Sequence, residues 1–540
     1  MLRLPFDNQK VKENYAIFFQ KIKNWKTVRG WHIWKLKLVD ARLYFVSMIV
    51  GLLTGLIAVC YHYLLYFLLH IRSDFFASRP AWYWHILLFL LFWGILMFVS
   101  FLVGRMPLIS GGGIPQTRGV INGRITYKHP FVELVSKFAG GILSVAAGLS
   151  LGREGPSVQI GSYIGSLVSR WTHILQGERK QLLAAGAGAG LAAAFAAPLA
   201  SSLIVIESIE RFDAPKTAIT TLLAGVVAGA VAGLVFPVNP YHLIEVSEPV
   251  LTFLVRMKYF LLLAVIISIA GKIYSVLMIS FKRVYSKVKS PVYIKMFYLV
   301  LVAYIISLMQ VNLTGGGEQF LLQQAQNGST EIMWVLAVML LHFGFSVCSV
   351  SSGLPGGNFI PTLVTGGLLG QLVGLVAVKY GIIEPPNITY VMLISMSAFL
   401  VAIERTPLTA IVLITEITGH FEVFYPSVVV GGLTYYFTEL LQMKSFNVIL
   451  YEDMINSPDF REENRYTLSV EVMTGSYLDG KAISELSLPE HCVIINVHRD
   501  GKNLVPAETS LIPGDQVQIE MDSQDIEKLY EPLVSMANIY

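Results

Sequence analysis

Charge is what this chain has least of. Only 14% of its 540 residues are Asp, Glu, Lys or Arg, against roughly 25% in a soluble globular domain. Three cysteines, Cys60, Cys348 and Cys492, stand far apart and support neither a disulfide framework nor a metal site. No HExxH, P-loop or credible catalytic triad is present, so the chain does not read as an enzyme. A TVGYG-like carbonyl filter for cations is also missing, and no nucleic-acid partner is expected. Apolar residues are abundant instead: 54% of the chain is hydrophobic and its mean hydropathy is +0.60. That composition excludes a disordered chain, a collagen and a disulfide-stapled module, and it points to a multi-pass protein of the lipid bilayer.

The sparse charge is unevenly placed. Residues 452–540 hold 17 of the 36 acidic residues and only six Lys or Arg. The other 451 residues therefore carry a net +15. Two domains of different kind are expected, with boundaries at 43–451 for the membrane body, 452–465 for a charged linker and 466–540 for a small α+β tail. Residues 1–42 mix ten Lys or Arg with Phe, Ile and Trp. They read as an amphipathic segment at the cytoplasmic membrane surface, not as a signal peptide.

Stretches without charge run over 43–71, 82–104, 296–317, 332–378 and 385–403. A spanning helix needs roughly 20 apolar residues, so the 47-residue stretch must hold more than one helix. Between them lie apolar segments broken by Gly and Pro, near 111–125, 140–165, 181–207 and 353–372. Broken helices inside a bilayer mark transporter and channel sites. The halves of the chain also repeat. Gly152-Arg153-Glu154-Gly155-Pro156 recurs as Gly357-Asn358-Phe359-Ile360-Pro361, and Pro198-Leu199-Ala200 with Glu207 recurs as Pro407-Leu408-Thr409 with Glu416. The offsets are 205 and 209 residues, which suggests two homologous halves. In the tail, strands are expected at 467–472, 492–497 and 516–520, with helices at 479–486 and 523–533.

Three glycine-rich segments are expected to open helices: Gly111-Gly112-Gly113-Ile114-Pro115, Gly152 to Pro156, and Gly356 to Pro361. Glycine lets backbone approach a ligand, and helix N-termini present free N–H groups with a partial positive charge. Three such ends together would make an anion site from backbone amides, without a buried lysine.

With these motifs in this order, the chain resembles the CLC family of chloride channels and proton/chloride antiporters over roughly residues 35–451. The resemblance implies an all-α polytopic membrane fold, an inverted repeat of about 18 helices in a two-pore homodimer, followed here by the small cytosolic α+β domain. It implies that Glu154 is the gating glutamate, competing with chloride for the pore and taking up a proton. It implies chloride contacts at Gly112, Gly113, Ile114, Arg153, Gly155, Asn358, Phe359, Ile360 and Phe446. Three positions depart from the family pattern. The serine of the first motif is Gly112, since Ser110 lies two residues too early. The inner tyrosine is Phe446. On the proton path, the family's paired glutamates are Glu207 and Ser208, so the proton-passing position cannot titrate near neutrality. Glu207 and Glu210 sit about 100° and 200° around the helix and do not simply replace it. Glu416 reads as structural.

These departures favour channel-like or weakly proton-coupled chloride conduction. A proton-coupled chloride antiporter is the alternative, and a cation transporter a second one. The tail resembles the TrkA-C (RCK-C) domain of potassium transport proteins on LDGKAISEL, VIINVHRDGKNLVP and LIPGDQVQI. That resemblance implies dimerisation and regulation, with cyclic di-AMP as a candidate ligand held by Ile494, Ile495, His498, Arg499 and Asn503. No other cofactor is expected. The setting expected is a bacterial plasma membrane, with both termini cytoplasmic.

Overall fold

In a computed structural model, the described residues are 8–172, 176–209, 214–236, 244–250, 252–328, 330–457, 465–489, 492–499, 502–504, 509–522 and 526–537. The side chains of residues 8–40 are outside that description, and the amphipathic reading of 1–42 falls there. Among the described residues the membrane body holds α1 (Asn8–Ala77), α2 (Trp82–Arg105), α3 (Ile114–Ile121), α4 (Pro130–Ala146), α5 (Glu154–Trp171), α6 (Gln176–Phe195), α7 (Pro198–Ile204), α8 (Ala214–Val235) and α9 (Phe253–Lys287). The body continues with α10 (Val292–Gln310), α11 (Glu318–Asn327), α12 (Ile332–Ser351), α13 (Phe359–Lys379), α14 (Ile388–Glu404), α15 (Pro407–Thr418), α16 (Phe424–Leu440) and α17 (Phe446–Ile455).

Eight helices among the described residues are long and apolar enough to cross a bilayer. The 47-residue stretch holds α12 and α13, split where Gly353 to Asn358 leave the helix. Two spans, α8 and α9, escaped the charge-free survey. In α8 the signal was there, since 217–244 has no charged residue. In α9 it was broken by Lys272, whose ammonium reaches the Leu441 carbonyl at 3.0 Å on an exposed edge.

Burial sorts the spans. The apolar windows of α13 and α14 are 83% and 89% buried, that of α2 only 17%. The first two form the centre, and α2 lies at the periphery with most of its side chains exposed. Small residues let the inner helices touch. A Cβ on Gly161 would overlap the Gly186 carbonyl, one on Gly190 the Ser157 carbonyl and one on Gly51 the Ala224 carbonyl. Close backbone approach replaces hydrophobic driving force between helices in lipid.

The tail is a four-stranded antiparallel sheet, β1 (Arg465–Glu471), β2 (Val493–Arg499), β3 (Lys502–Leu504) and β4 (Gln516–Asp522), in the order β1-β4-β2-β3, with α18 (Ile526–Ala537). The helix expected at 479–486 is not formed. Gly480 N bonds to the Leu511 carbonyl and Ile483 N to the Thr509 carbonyl. Those cross-chain bonds compete with helix formation and leave one 3₁₀ turn at Ile483–Glu485. The expected linker also shortens, because α17 continues to Ile455, held by a Lys444–Glu452 pair at 3.1 Å.

Candidate functional site

Backbone hydrogen bonds knot the three glycine segments together. Gly152 and Gly357 exchange N–H···O bonds of 2.7 Å in both directions. Gly111 donates to the Gly353 carbonyl at 3.1 Å and accepts from Gly356 N at 3.0 Å. Gly113 has φ +100°, which favours glycine. A Cβ on Gly155 would lie 2.5 Å from the Gly112 oxygen, so this crossing needs a bare backbone. Lys137, fully buried, ties the first segment down by donating to the carbonyls of Ile109 at 2.9 Å and Gly111 at 2.6 Å. Its ammonium is thus engaged by carbonyl oxygens. The signal available was a lone Lys in the apolar run of α4, which must be satisfied once buried.

Glu154 is the first residue of α5 and fully buried. Both carboxylate oxygens are buried without a hydrogen-bond partner among the described residues. The nearest cation is Arg153, whose Nε stands 3.7 Å from Oε1 while its Nη2 reaches Glu318 at 3.3 Å. A Cβ on Gly152 would overlap Glu154 Oε2 and come within 3.3 Å of Ile360 N. The carboxylate therefore sits beside the opening amides of α13, where a helix N-terminus attracts an anion. Asn358 precedes that helix. Its Oδ1 accepts from the Tyr274 hydroxyl at 2.8 Å, and its Nδ2 is buried and unpartnered among the described residues. Phe359 packs its ring against Phe195 at 5.6 Å. Ile114 and Ile360 are buried beside them. At Gly112 there is room for a side chain: an added Cβ would meet only Gly357 Cα at 3.5 Å and Gly356 O at 3.8 Å.

The repeat has a second knot. The Glu207 carboxylate accepts from Leu408 N at 3.1 Å, Thr409 N at 2.8 Å and Thr409 Oγ1 at 2.6 Å. Reciprocally, Glu416 accepts from Leu199 N at 3.1 Å and Ala200 N at 2.9 Å. Pro198 and Pro407 open α7 and α15. Proline has no N–H, so the next two amides are the first that need an acceptor, and each half caps the other. Ser208 lies partly buried in a π-helical stretch, Val205–Ile209. Glu210 is outside the described residues.

Phe446 opens α17 and is buried. Its neighbour Asn447 donates Nδ2 to Glu404 Oε2 at 2.6 Å. Sequence reasoning passed over Glu404, although it is the residue that ends the charge-free run 385–403.

In the tail, Arg499 is engaged. Its Nε and Nη2 reach the two oxygens of Asp515 at 2.7 Å each, and Nη2 also reaches the Ser510 carbonyl at 2.7 Å. Burial pushes the Asp515 carboxyl up, but the Arg499 hydrogen bonds and the Ile512 amide outweigh it and hold the group below the usual range. Ile494 is buried in the domain core and Ile495 is 42% exposed. Adjacent strand residues face opposite ways, so the two do not form one apolar pair. His498 stands opposite Asn503 on β3 and opposite Gln516 on β4. The Asn503 side chain lies outside the described residues.

Residues 95–439 match the family model described as voltage gated chloride channel, and residues 468–534 match the TrkA-C domain. The H(+)/Cl(-) exchange transporter ClcA of Klebsiella pneumoniae subsp. pneumoniae is 30% identical over 400 residues, covering 71% of this chain and 83% of that protein. The ClcA of Vibrio cholerae serotype O1 is 30% identical over 420 residues, covering 74% and 86%. Among solved structures, a slow cyanobacterial Cl-/H+ antiporter superposes with a TM-score of 0.70 at 25% identity, over 77% of this chain and 99% of that one. A eukaryotic CLC transporter shares the fold, with a TM-score of 0.63 at 20% identity, over 76% and 74%. With its glycine segments knotted as they are and most of its length matched, the chain belongs to the voltage gated chloride channel (CLC) family and carries a TrkA-C domain behind the membrane body.

Proposed function

We propose that this protein exchanges chloride for protons across a bacterial plasma membrane, as a homodimer with both termini in the cytoplasm. The observation that carries the reading is the Glu154 carboxylate, buried beside the amides of α13 with Arg153 at 3.7 Å as its cation. In that place it excludes a chloride ion from the same amides. Protonation removes its charge and its hold on the helix end, so anion and proton occupancy alternate. The relatives named exchange transporters support coupled exchange better than the channel-like conduction expected from Gly112, Phe446 and Ser208. The test is reconstitution in liposomes with chloride and proton fluxes recorded together. A chloride gradient should drive protons uphill, and flux of chloride alone would refute exchange.

The TrkA-C match supports a regulatory role for the tail, with a cyclic dinucleotide as its candidate ligand. Because Arg499 is held by Asp515, a ligand phosphate would have to share or displace that pair. Cyclic di-AMP titrated into the full-length protein should change chloride flux. An unchanged flux with no heat of binding would leave the tail a dimerisation domain.

A further inference from the structure

Glu404 is a buried carboxylate that none of the foregoing uses. It is 5% exposed and stands as the last residue of α14, a span that is otherwise free of charge. Position and charge are at odds there. A helix C-terminus carries partial negative charge and disfavours an anion. A carboxylate inside a bilayer protein is costly unless paired and is kept where it has work to do. Glu404 has no cation partner among the described residues. Its neighbour Arg405 turns away to Glu439, Thr438 and the Tyr435 carbonyl. Its one hydrogen bond among the described residues is from Asn447, a neutral amide that either an ionised or a protonated carboxyl can accept.

Several charged groups on the elements around α14 are engaged elsewhere. On α9, Lys272 bonds to the Leu441 carbonyl. On α17, Tyr451 lies under the Arg118 guanidinium and Glu452 pairs with Lys444. Glu207, from the other half, is taken up by the amides of Leu408 and Thr409. Glu416 at the far end of α15 caps α7. Among the described residues, Tyr274 on α9 interacts electrostatically with Glu404. Its hydroxyl donates to Asn358 Oδ1 at 2.8 Å, at the start of the helix whose first amides face Glu154. Glu404 thus stands against Asn447, the residue after Phe446, at the end of α14 and just before the helix capped by Glu207. Buried Tyr274, which interacts with Glu404, bonds in turn to buried Asn358 at the site.

We infer that Glu404 is the inner proton-binding carboxylate of this chain: it takes a proton from water on the α17 side, is neutral while it holds it, and releases it toward Glu154. The assignment rests on the exchange reading above and supplies the group that Ser208 cannot be. The proton is the sole species transferred, so charge balances as carboxylate plus hydronium giving carboxylic acid plus water.

The experiment measures chloride and proton flux of the full-length protein in liposomes for wild type, Glu404→Gln and Glu404→Asp. Gln keeps an acceptor for Asn447 but cannot bind a proton. Chloride flux through Glu404→Gln should stay within about twofold of wild type, while proton flux falls at least about tenfold. Glu404→Asp, which retains a titratable group, should keep more proton flux than Gln. A wild type that drives no uphill protons removes the exchange reading, and this assignment with it. A wild type that couples, alongside a Glu404→Gln of unchanged proton-to-chloride ratio, overturns the assignment alone. Loss of both fluxes in a monodisperse, folded Glu404→Gln also overturns it, because the residue would then serve conduction. Should Glu404→Gln fail to fold, Glu404→Asp decides: its proton-to-chloride ratio must change, and an unchanged ratio overturns the assignment.

Discussion

The two halves of the membrane body agree wherever they hold the protein together and differ where the proposed chemistry lies. Glu207 caps α15, and Glu416 caps α7, by the same pair of amides after a proline. Gly152 and Gly357 bond each other symmetrically. Even the small hydroxyls match: Ser157 Oγ donates to the Arg153 carbonyl at 2.9 Å and Thr362 Oγ1 to the Asn358 carbonyl at 2.8 Å. Between those paired bonds the halves part. The position that is Glu154 in the first half is Phe359 in the second, a carboxylate against a ring. A repeat thus builds the scaffold, and at its centre the side chains differ, Glu154 being the one carboxylate among them and the charge that the proposed exchange would switch.

That comparison can be broken from its centre outward. Glu154→Gln makes the two central positions alike in charge. Chloride should still move, while proton flux should fall at least about tenfold in the same liposome recording. The phenylalanine side of the pair offers no counterpart: Phe359→Leu, which removes a ring packed on Phe195, should leave the proton-to-chloride ratio as in wild type.

The capping pair tests the symmetric part. Glu207→Ala and Glu416→Ala each leave two amides without their acceptor. Each should cost about 2 kcal/mol, read as lowered thermal stability in detergent. Similar losses for the two would confirm the reciprocity, and a loss confined to one would show that the halves are not equivalent in load.

A smaller effect is expected at Gly112, where the structure has space. Gly112→Ser adds a hydroxyl with nothing closer than ordinary contact around its Cβ. A hydrogen bond to an anion is worth roughly 1.5–3 kcal/mol, so chloride affinity measured by calorimetry should rise by about tenfold or more. Unchanged affinity would mean that the first glycine segment does not face the anion.

The tail gives the mildest prediction. Asp515 is held below the usual carboxylate range in the folded state. Its stabilising contribution is therefore complete above the ordinary carboxyl pKa and is lost as pH falls through the folded value. Amide protection factors of β2 and β4 in the full-length protein, taken relative to the intrinsic exchange rate at each pH, should fall at acid pH, and in Asp515→Asn they should be low already at neutrality.

The sequence by itself determined the class of molecule, because lipid leaves so few choices. Long charge-free runs must span, and Gly-Pro interruptions inside them must be covered by protein. The two motif pairs at nearly one offset made the repeat visible, and Glu154 was legible as a carboxylate at a helix start. The tertiary structure decided what no spacing could carry. That Glu207 and Glu416 cap each other's halves needs two segments some 200 residues apart to meet. That Lys137 is buried against Gly111, that Arg499 is held by Asp515, and that Ile494 turns inward while Ile495 turns out are matters of which group fills which vacancy. Glu404 was present in the sequence as the end of a charge-free run. Only packing showed that this end is buried beside Asn447, with no cation to meet it among the described residues, because burial and partner are set by the helices around a residue and not by its neighbours along the chain.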